Sequence, residues 1–288
     1  MRSFILLIFL SFSFTVGYTQ SNPEVYMGDI SFEGESFTIS GLQNISNSPG
    51  YDNQPSFHPN GRHLFYVSTR DSANQDILSF DFKTGAKAWI TDLEGGEYSP
   101  TVTPDPLFLS SIWLKPDGEQ LLWKFPIDGG KPKVLVPDEV IGYHTWFDKK
   151  TIYAFVLGNP QTFVEFKLGR KGSKKVIANN PGRSIHKIPG TELISFVDKS
   201  DPDSWLVKAY DPSEGAMKPL TETPEGSEDM FWVDGESFII GSGNTLRLWK
   251  EGHGYAPEVQ IFDRNGTISR VSLSPDRTKI VIVFAETD

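Results

Sequence analysis

The chain has 288 residues, 37 Asp and Glu against 27 Lys and Arg, a formal net charge of −10 and no cysteine. That balance argues against a nucleic-acid surface. The missing thiols exclude disulfides, thiolate metal sites, thiol catalysis and lipid attachment through a cysteine. Hydrophobic residues at 38% and aromatic residues at 13% suffice for a substantial core, while 26 Gly and 20 Pro spread along the chain imply frequent turns.

In chain order, Arg2 comes first, ahead of FILLIFLSFSFTVG, an apolar stretch without an acidic residue that leads into YTQSNPEV. This is the pattern of a secretory signal peptide over residues 1–20, with cleavage near Gln20. An anchoring helix is the alternative, but the apolar run falls short of the ~20 residues that a span needs. The expected product, residues 21–288, is one domain of net charge −11, periplasmic or secreted, with no later segment able to span a membrane.

Beyond the leader there is almost no helical periodicity. Runs of four to eight residues rich in Val, Ile, Leu, Phe, Tyr and Trp alternate with Gly, Pro, Asp and Asn, which is an all-β pattern. The clearest stretch, PSFHPNGRHLFYVSTRDSANQDILSFDFKTGAKAWIT, spans residues 55–91 and holds four strand candidates. A short first strand ends at Pro59-Asn60-Gly61, a fixed φ followed by two residues tolerant of positive φ, which is hairpin chemistry. Residues 64–68 form the second strand. The third, residues 76–81, reads as half-buried, with Ile77, Phe80 and Phe82 as its apolar set, and residues 87–91 form the fourth.

The same order recurs. Aligning the turns places Pro59, Pro104, Asp148, Pro189, Asp234 and Pro275 in register, at successive spacings of 45, 44, 41, 45 and 41 residues. A four-stranded unit at that period is the signature of a propeller blade. The sixth unit, SRVSLSPDRTKIVIVFAE, stops after two strands, and EVYMGDISFEGESFTISGLQNIS at residues 24–46 resembles the later strands of a unit. The expected fold is therefore a six-bladed β-propeller of four-stranded blades, in which strands from both chain ends share one blade and leave no open edge.

At these residues the chain resembles the TolB-type propeller, a WD40-like family with PD repeats. The family pattern is approximately P-x-aromatic-S-P-D-G, a strand, a Ser/Thr-Arg-Asp segment, Asp-Ile-Tyr and a Thr-Gly turn. It is matched by PSFHPNGRHLFYVSTRD, QDILSFDFKTG and WIT in the first unit, and by VSLSPDRTKIVIVFAE in the sixth. The second and fourth units carry diluted forms, PTVTPDP and KIPGTELISFV, and the third and fifth match mainly by spacing. The likeness covers nearly all of the expected mature chain. It concerns the propeller alone, since the separate α/β domain that precedes it in TolB has no room here; TolB's interaction with a peptidoglycan-associated lipoprotein does not follow from it.

In a propeller, ligands usually meet one mouth of the central channel, where loops lead into the innermost strands. In this register the corresponding residues are Asn53, Tyr98, Tyr143, Arg183, Glu228 and Arg270, with His144 one step further on. Such a mixed polar and aromatic ring suits a peptide or a sugar, and each member alone also suits plain solvent.

Other constellations are weaker. His144 and His186 begin neighbouring blades and are the best pair for a divalent metal. His58 precedes a repeat turn and reads as structural. DKSDPDSW, residues 198–205, has three carboxylates but lacks the Gly and distal Glu of a calcium loop. The basic run KGSKK at residues 171–175 reads as a solvated turn, and no G-x-S-x-G occurs. Trp89, Trp113, Trp123, Trp146, Trp205, Trp232 and Trp249 read mostly as packing between blades. The expectation is an exported, monomeric, non-enzymatic scaffold for a protein or peptide of the cell envelope, with a glycan as another candidate ligand and no cofactor. The alternative is a propeller hydrolase or lyase acting on a sugar or lactone with a divalent metal in the channel.

Overall fold

The structure, a computed structural model, describes residues 22–71 and 74–287, so the expected leader at residues 1–20 lies outside the described residues. Among the described residues every regular element is a strand, and no helix is long and apolar enough to cross a membrane.

After β1 (Glu24–Glu33) and β2 (Ser36–Asn44), the first unit comprises β3 (Asp52–Phe57), β4 (His63–Thr69), β5 (Gln75–Asp81) and β6 (Ala86–Trp89). The second comprises β7 (Gly96–Val102), β8 (Phe108–Leu114), β9 (Gln120–Pro126) and β10 (Lys133–Val136). The third comprises β11 (Ile141–Trp146), β12 (Thr151–Val156), β13 (Thr162–Lys167) and β14 (Ser173–Asn179). The fourth comprises β15 (Pro181–Lys187), β16 (Ile194–Asp198), β17 (Leu206–Asp211) and β18 (Ala216–Glu222). In the fifth, β19 (Met230–Trp232), β20 (Ser237–Ser242) and β21 (Thr245–Lys250) are followed by two short pieces, β22 (Gly254–Tyr255) and β23 (Val259–Gln260). The chain finishes with β24 (Gly266–Leu273) and β25 (Lys279–Glu286).

Consecutive strands within each unit pair antiparallel, and one parallel bridge, Gln75 to Gly96, ties the first two units into an eight-stranded sheet. The chain ends share a sheet of order β2-β1-β25-β24, with Val25 opposite Val283 and Met27 opposite Val281. The joint closure expected from residues 24–46 is thus observed. The fold is all-β and propeller-like.

Apolar clusters sit between units rather than within them. Val25, Val281 and Val283 of the shared sheet meet Leu64, Tyr66 and Phe80 of the first unit. Phe65 and Ile77 meet Leu109 of the second unit, and Ile112 and Leu122 meet Ile152 and Val164 of the third. Phe163 stacks on Phe196 of the fourth unit at a centroid distance of 4.5 Å, Val197 and Val207 pack with Trp232 and Phe238 of the fifth, and Ile239 and Leu248 return to Ile280 and Ile282. The innermost strands follow the same circuit: β3, β7, β11, β15, β19 and β24 each approach the next, and β24 approaches β3.

This stacking corrects one expectation. Residues 76–81 are buried on both faces of β5, as is every residue of β12. A sheet sandwiched between two others covers both faces of its middle strands, so they read as nearly continuous apolar runs. Three smaller differences follow. At the turn after β3 only Gly61 takes a positive φ, +63°, while Asn60 Oδ1 accepts the Arg62 N–H at 2.9 Å instead. The fourth strand of the first unit is shorter than expected, because the Thr91 hydroxyl turns inward to accept the Ile77 N–H at 2.8 Å. Part of the basic run lies on a strand, β14, where Lys175 Nζ donates to Tyr210 Oη at 2.9 Å.

Candidate functional site

Five of the six innermost strands, all but β19, share an irregularity near their N-terminal ends. Pairing with the second strand is interrupted between Asn53 and Ser56, Tyr98 and Thr101, Ile141 and Tyr143, Pro181 and Ile185, and Ile268 and Arg270. A bulge frees residues from the ladder and re-aims their side chains. Gln54 and Ser99 take left-handed conformations, at φ of 58° and 54°, and with Tyr143, Arg183 and Arg270 they line a cavity of about 130 Å³ on the channel. It shares a wall at Pro55, Pro100, Ile185 and Phe231 with a wider cavity of about 520 Å³ towards the C-terminal ends of the same strands.

Asp229 joins two of the expected residues. Arg183 donates from Nε to Asp229 Oδ1 at 2.9 Å and from Nη2 to Oδ2. Arg270 Nη1 donates to the same Oδ1 at 2.7 Å. Burial works against the Arg183 charge, but the hydrogen bonds and charge of Asp229 outweigh it and raise the guanidinium pKa above its usual value. Beside this bridge, Glu228 Oε2 accepts the Arg183 main-chain N–H at 2.8 Å, and Oε1 lies 3.3 Å from Lys199 Nζ. A Cβ on Gly182 would stand 2.5 Å from Glu228 Oε2 and 3.0 Å from Val197 Cβ, so a larger residue there would push the Glu228 carboxylate aside.

Aromatic rings complete this end of the channel. The Arg270 guanidinium carbon lies 5.4 Å from the centroid of the Tyr143 ring, within cation–π range. Tyr51 and Tyr98 meet edge to face at 6.3 Å, and the Tyr98 hydroxyl donates to Gln75 Oε1 at 2.8 Å. Burial pushes the Tyr51 pKa up to about 12, against the lowering influence of Arg270.

The other expected residues have internal roles. Asn53 is buried and its Oδ1 accepts the Gln54 N–H at 2.7 Å, which shapes the bulge. His144 is buried, with Nε2 2.7 Å from Ser110 Oγ, and that oxygen also accepts Trp146 Nε1–H at 2.8 Å. Burial lowers the His144 pKa to about 3 and the His186 pKa to about 4, so both rings are neutral at pH 7. Ser110 and His144 do not form a nucleophile–base pair open to substrate: Ser110 is 0% exposed, and His144 Nδ1 has no orienting partner. Both histidines line the channel, yet among the described residues no three His, Cys, Asp or Glu side chains converge as ligands would.

His58 accepts the Asn60 N–H on Nδ1 at 3.0 Å and reaches Pro106 O from Nε2 at 3.0 Å, tying two turns together. In the 198–205 loop, Asp198 pairs with Lys208 at 2.6 Å, and Asp201 Oδ1 accepts the Asp203 N–H at 3.0 Å. The tryptophans divide. Trp232 and Trp249 are buried between units and Trp146 and Trp205 pack against the same kind of seam. Trp113 and Trp123 instead meet each other at 5.0 Å with Lys115 over both rings, and Trp89 is 40% exposed beneath Arg70.

The expected residues lie six places before the repeat turn at Asn53, Tyr98, Arg183 and Glu228 and five before it at Tyr143 and Arg270, so they pass over Gln54, Ser99 and Asp229. The channel-facing position lies five residues before the turn at Gln54, Ser99, Tyr143, Asp229 and Arg270, and six before it at Arg183, where the bulge is widest. A bulge inserts a residue and flips the face, so constant spacing errs by one wherever bulges differ.

No protein-family profile and no curated protein matches this chain. Among solved structures it is similar to a protein from Agrobacterium tumefaciens assigned as a TolB, at a TM-score of 0.72 and 12% identity, over 93% of this chain and 100% of that one. It is also similar to TolB from Acinetobacter baumannii, at a TM-score of 0.60 and 16% identity, over 92% of this chain and 65% of that one. An oligogalacturonate lyase in complex with manganese follows at a TM-score of 0.52 and 13% identity, over 82% of this chain and 89% of that one. The fold and the channel make the chain a β-propeller. Among solved propellers its architecture is like that of TolB.

Proposed function

We propose that this protein is an exported, non-enzymatic TolB-like scaffold that binds a protein or peptide segment of the cell envelope in its channel. The reading takes the six four-strand units as six blades of one closed ring, supported by the six apolar seams and by the circuit of innermost strands. It takes the chain as a monomer acting after removal of residues 1–20, in the periplasm or outside the cell. The observation that carries the binding role is the Arg183–Asp229–Arg270 bridge set among Tyr51, Tyr98 and Tyr143, beside two adjoining cavities whose shared wall includes Pro55, Pro100, Ile185 and Phe231. Arginine and tyrosine are the residues that anchor protein interfaces, since each offers a large apolar body and a polar tip.

A photo-crosslinking residue in place of Tyr143 is expected to capture one envelope protein, and the same residue in place of Val176 on the outer strand β14 is expected not to. Equal capture from both positions would overturn the reading. A hydrolase or lyase using a divalent metal is the competing function, and the fold shared with the oligogalacturonate lyase supports it no further than architecture. Stoichiometric metal in the purified protein, lost with His144→Ala, would favour that alternative.

A further inference from the structure

Charge in the channel does not balance. Arg183 and Arg270 share the Asp229 carboxylate, while Glu228 lies 3.3 Å from Lys199 Nζ and 3.7 Å from Arg183 Nε and accepts the Arg183 main-chain N–H. The three cations against two carboxylates leave one positive charge, and the neutral His144 and His186 add none at pH 7. A surplus of positive charge at the mouth of a cavity favours an anion beside it. The donors to receive one are present. Among the described residues Arg183 Nη1 and Arg270 Nη2 make no hydrogen bond, and the two side chains keep 32% and 17% exposure. Asp229 holds the two guanidinium planes in place, so little side-chain freedom is lost when a ligand arrives.

Resting on the peptide-binding reading above, we infer that Arg183 and Arg270 receive a free carboxylate, the C-terminal end of a partner peptide whose last side chains occupy the wider cavity. Carboxylate oxygens match the N–H fork of arginine, and the resulting charge-assisted bonds are the strong ones. The walls beyond the arginines join the apolar Pro55, Pro100, Ile185 and Phe231 to the hydroxyls of Thr101 and Ser272, so they suit apolar side chains together with the polar backbone that carries them. The part beside the arginines is small, about 130 Å³ against about 520 Å³ for the wider cavity. That volume suits a single chain end, whereas an acidic side chain in mid-sequence would have to bring two lengths of backbone with it.

The test compares three probes by calorimetry on the mature protein at pH 7: an N-acetylated apolar pentapeptide with a free carboxylate, the same peptide as its C-terminal amide, and trigalacturonate. The acid is expected to bind at least tenfold tighter than the amide. Arg270→Gln is expected to reduce the acid to the affinity of the amide, and Asp229→Asn, which releases both guanidiniums, is expected to tighten the acid. Thermal unfolding of each variant shows whether it folds, and the comparison of acid with amide on the unaltered protein stands without either. Equal binding of acid and amide overturns the carboxylate inference while leaving a peptide channel. Binding of trigalacturonate without the acid overturns the peptide as occupant, and binding of none overturns both readings.

Discussion

Glu97, at the start of β7, is fully buried beside Asp76 of β5. Arg70 Nε lies 2.7 Å from Asp76 Oδ2, and Arg70 Nη1 lies 3.3 Å from Asp92. One guanidinium thus serves a crowded acidic seam between the first two units. Burial, with the Asp76 charge adding to it and the Thr91 hydroxyl and Arg70 opposing, pushes the Glu97 pKa up to about 8. The folded protein therefore holds a proton that the unfolded chain releases above about pH 4.5. The stability tied to Glu97 is complete below that pH and is lost as pH rises through about 8. Glu97→Gln, which keeps the shape without the charge, is expected to flatten this loss, by at most about 1.4 kcal/mol per pH unit. Urea unfolding at pH 5, 7 and 9 checks it: the variant should gain on the unaltered protein between pH 5 and 9, and an unchanged difference would show that Glu97 is already ionised in the fold.

At the scale of elements, hydroxyls on second strands hold tryptophans of the next unit. Ser110 of β8 accepts from Trp146 Nε1 of β11 at 2.8 Å, and Ser195 of β16 accepts from Trp232 Nε1 of β19 at 2.7 Å. Each is a polar strut across an otherwise apolar seam, and indole N–H groups seek such partners when buried. Ser110→Ala removes the partner of the half-buried Trp146 and of the buried His144 Nε2 together, so a cost of about 2 kcal/mol is expected from the two groups left unpaired. Denaturant unfolding measures it, and a cost below about 0.5 kcal/mol would remove the strut from the account. The units themselves were legible, because Pro59, Pro104, Pro189 and Pro275 punctuate strands of regular length. The bulges were only partly so, because they arise where an inner strand bends around the channel and no one residue type marks them all. Gly142 is skipped in one, Ser269 in another and residues 182–184 in a third, and of these only the two glycines carry a signal for a bulge.

For the whole molecule, the decisive contact joins the chain ends. β1 pairs with β25 from Glu24–Phe284 to Asp29–Lys279, and its Val25 enters the apolar seam with the first unit. Removing residues 22–46 would expose the edge of β25 and leave that seam half filled. An unpaired apolar edge invites pairing with another chain. The truncated protein is expected to elute as oligomers or aggregate at concentrations where the full chain elutes as one species, with size-exclusion chromatography as the measurement. A monomeric truncated protein of unchanged melting temperature would show that the ring does not need its closure.

Alternation of apolar runs with Gly, Pro and Asn, repeated at 41 to 45 residues, determined an all-β repeat architecture and the sharing of one sheet by both ends. These are local and periodic properties, and a linear reading captures them because strand length and turn chemistry are written residue by residue. Tertiary structure alone decided which faces are buried, since that depends on the sheet stacked on each side, as β5 and β12 show. It alone decided the site as well. Arg183, Asp229 and Arg270 come from three consecutive units, 46 and 41 residues apart, and meet because the innermost strands converge on one axis. Which side chain a bulged strand turns to that axis depends on the width of the bulge, and the wider one between Pro181 and Ile185 moves Arg183 one place out of the five-residue spacing that the others keep.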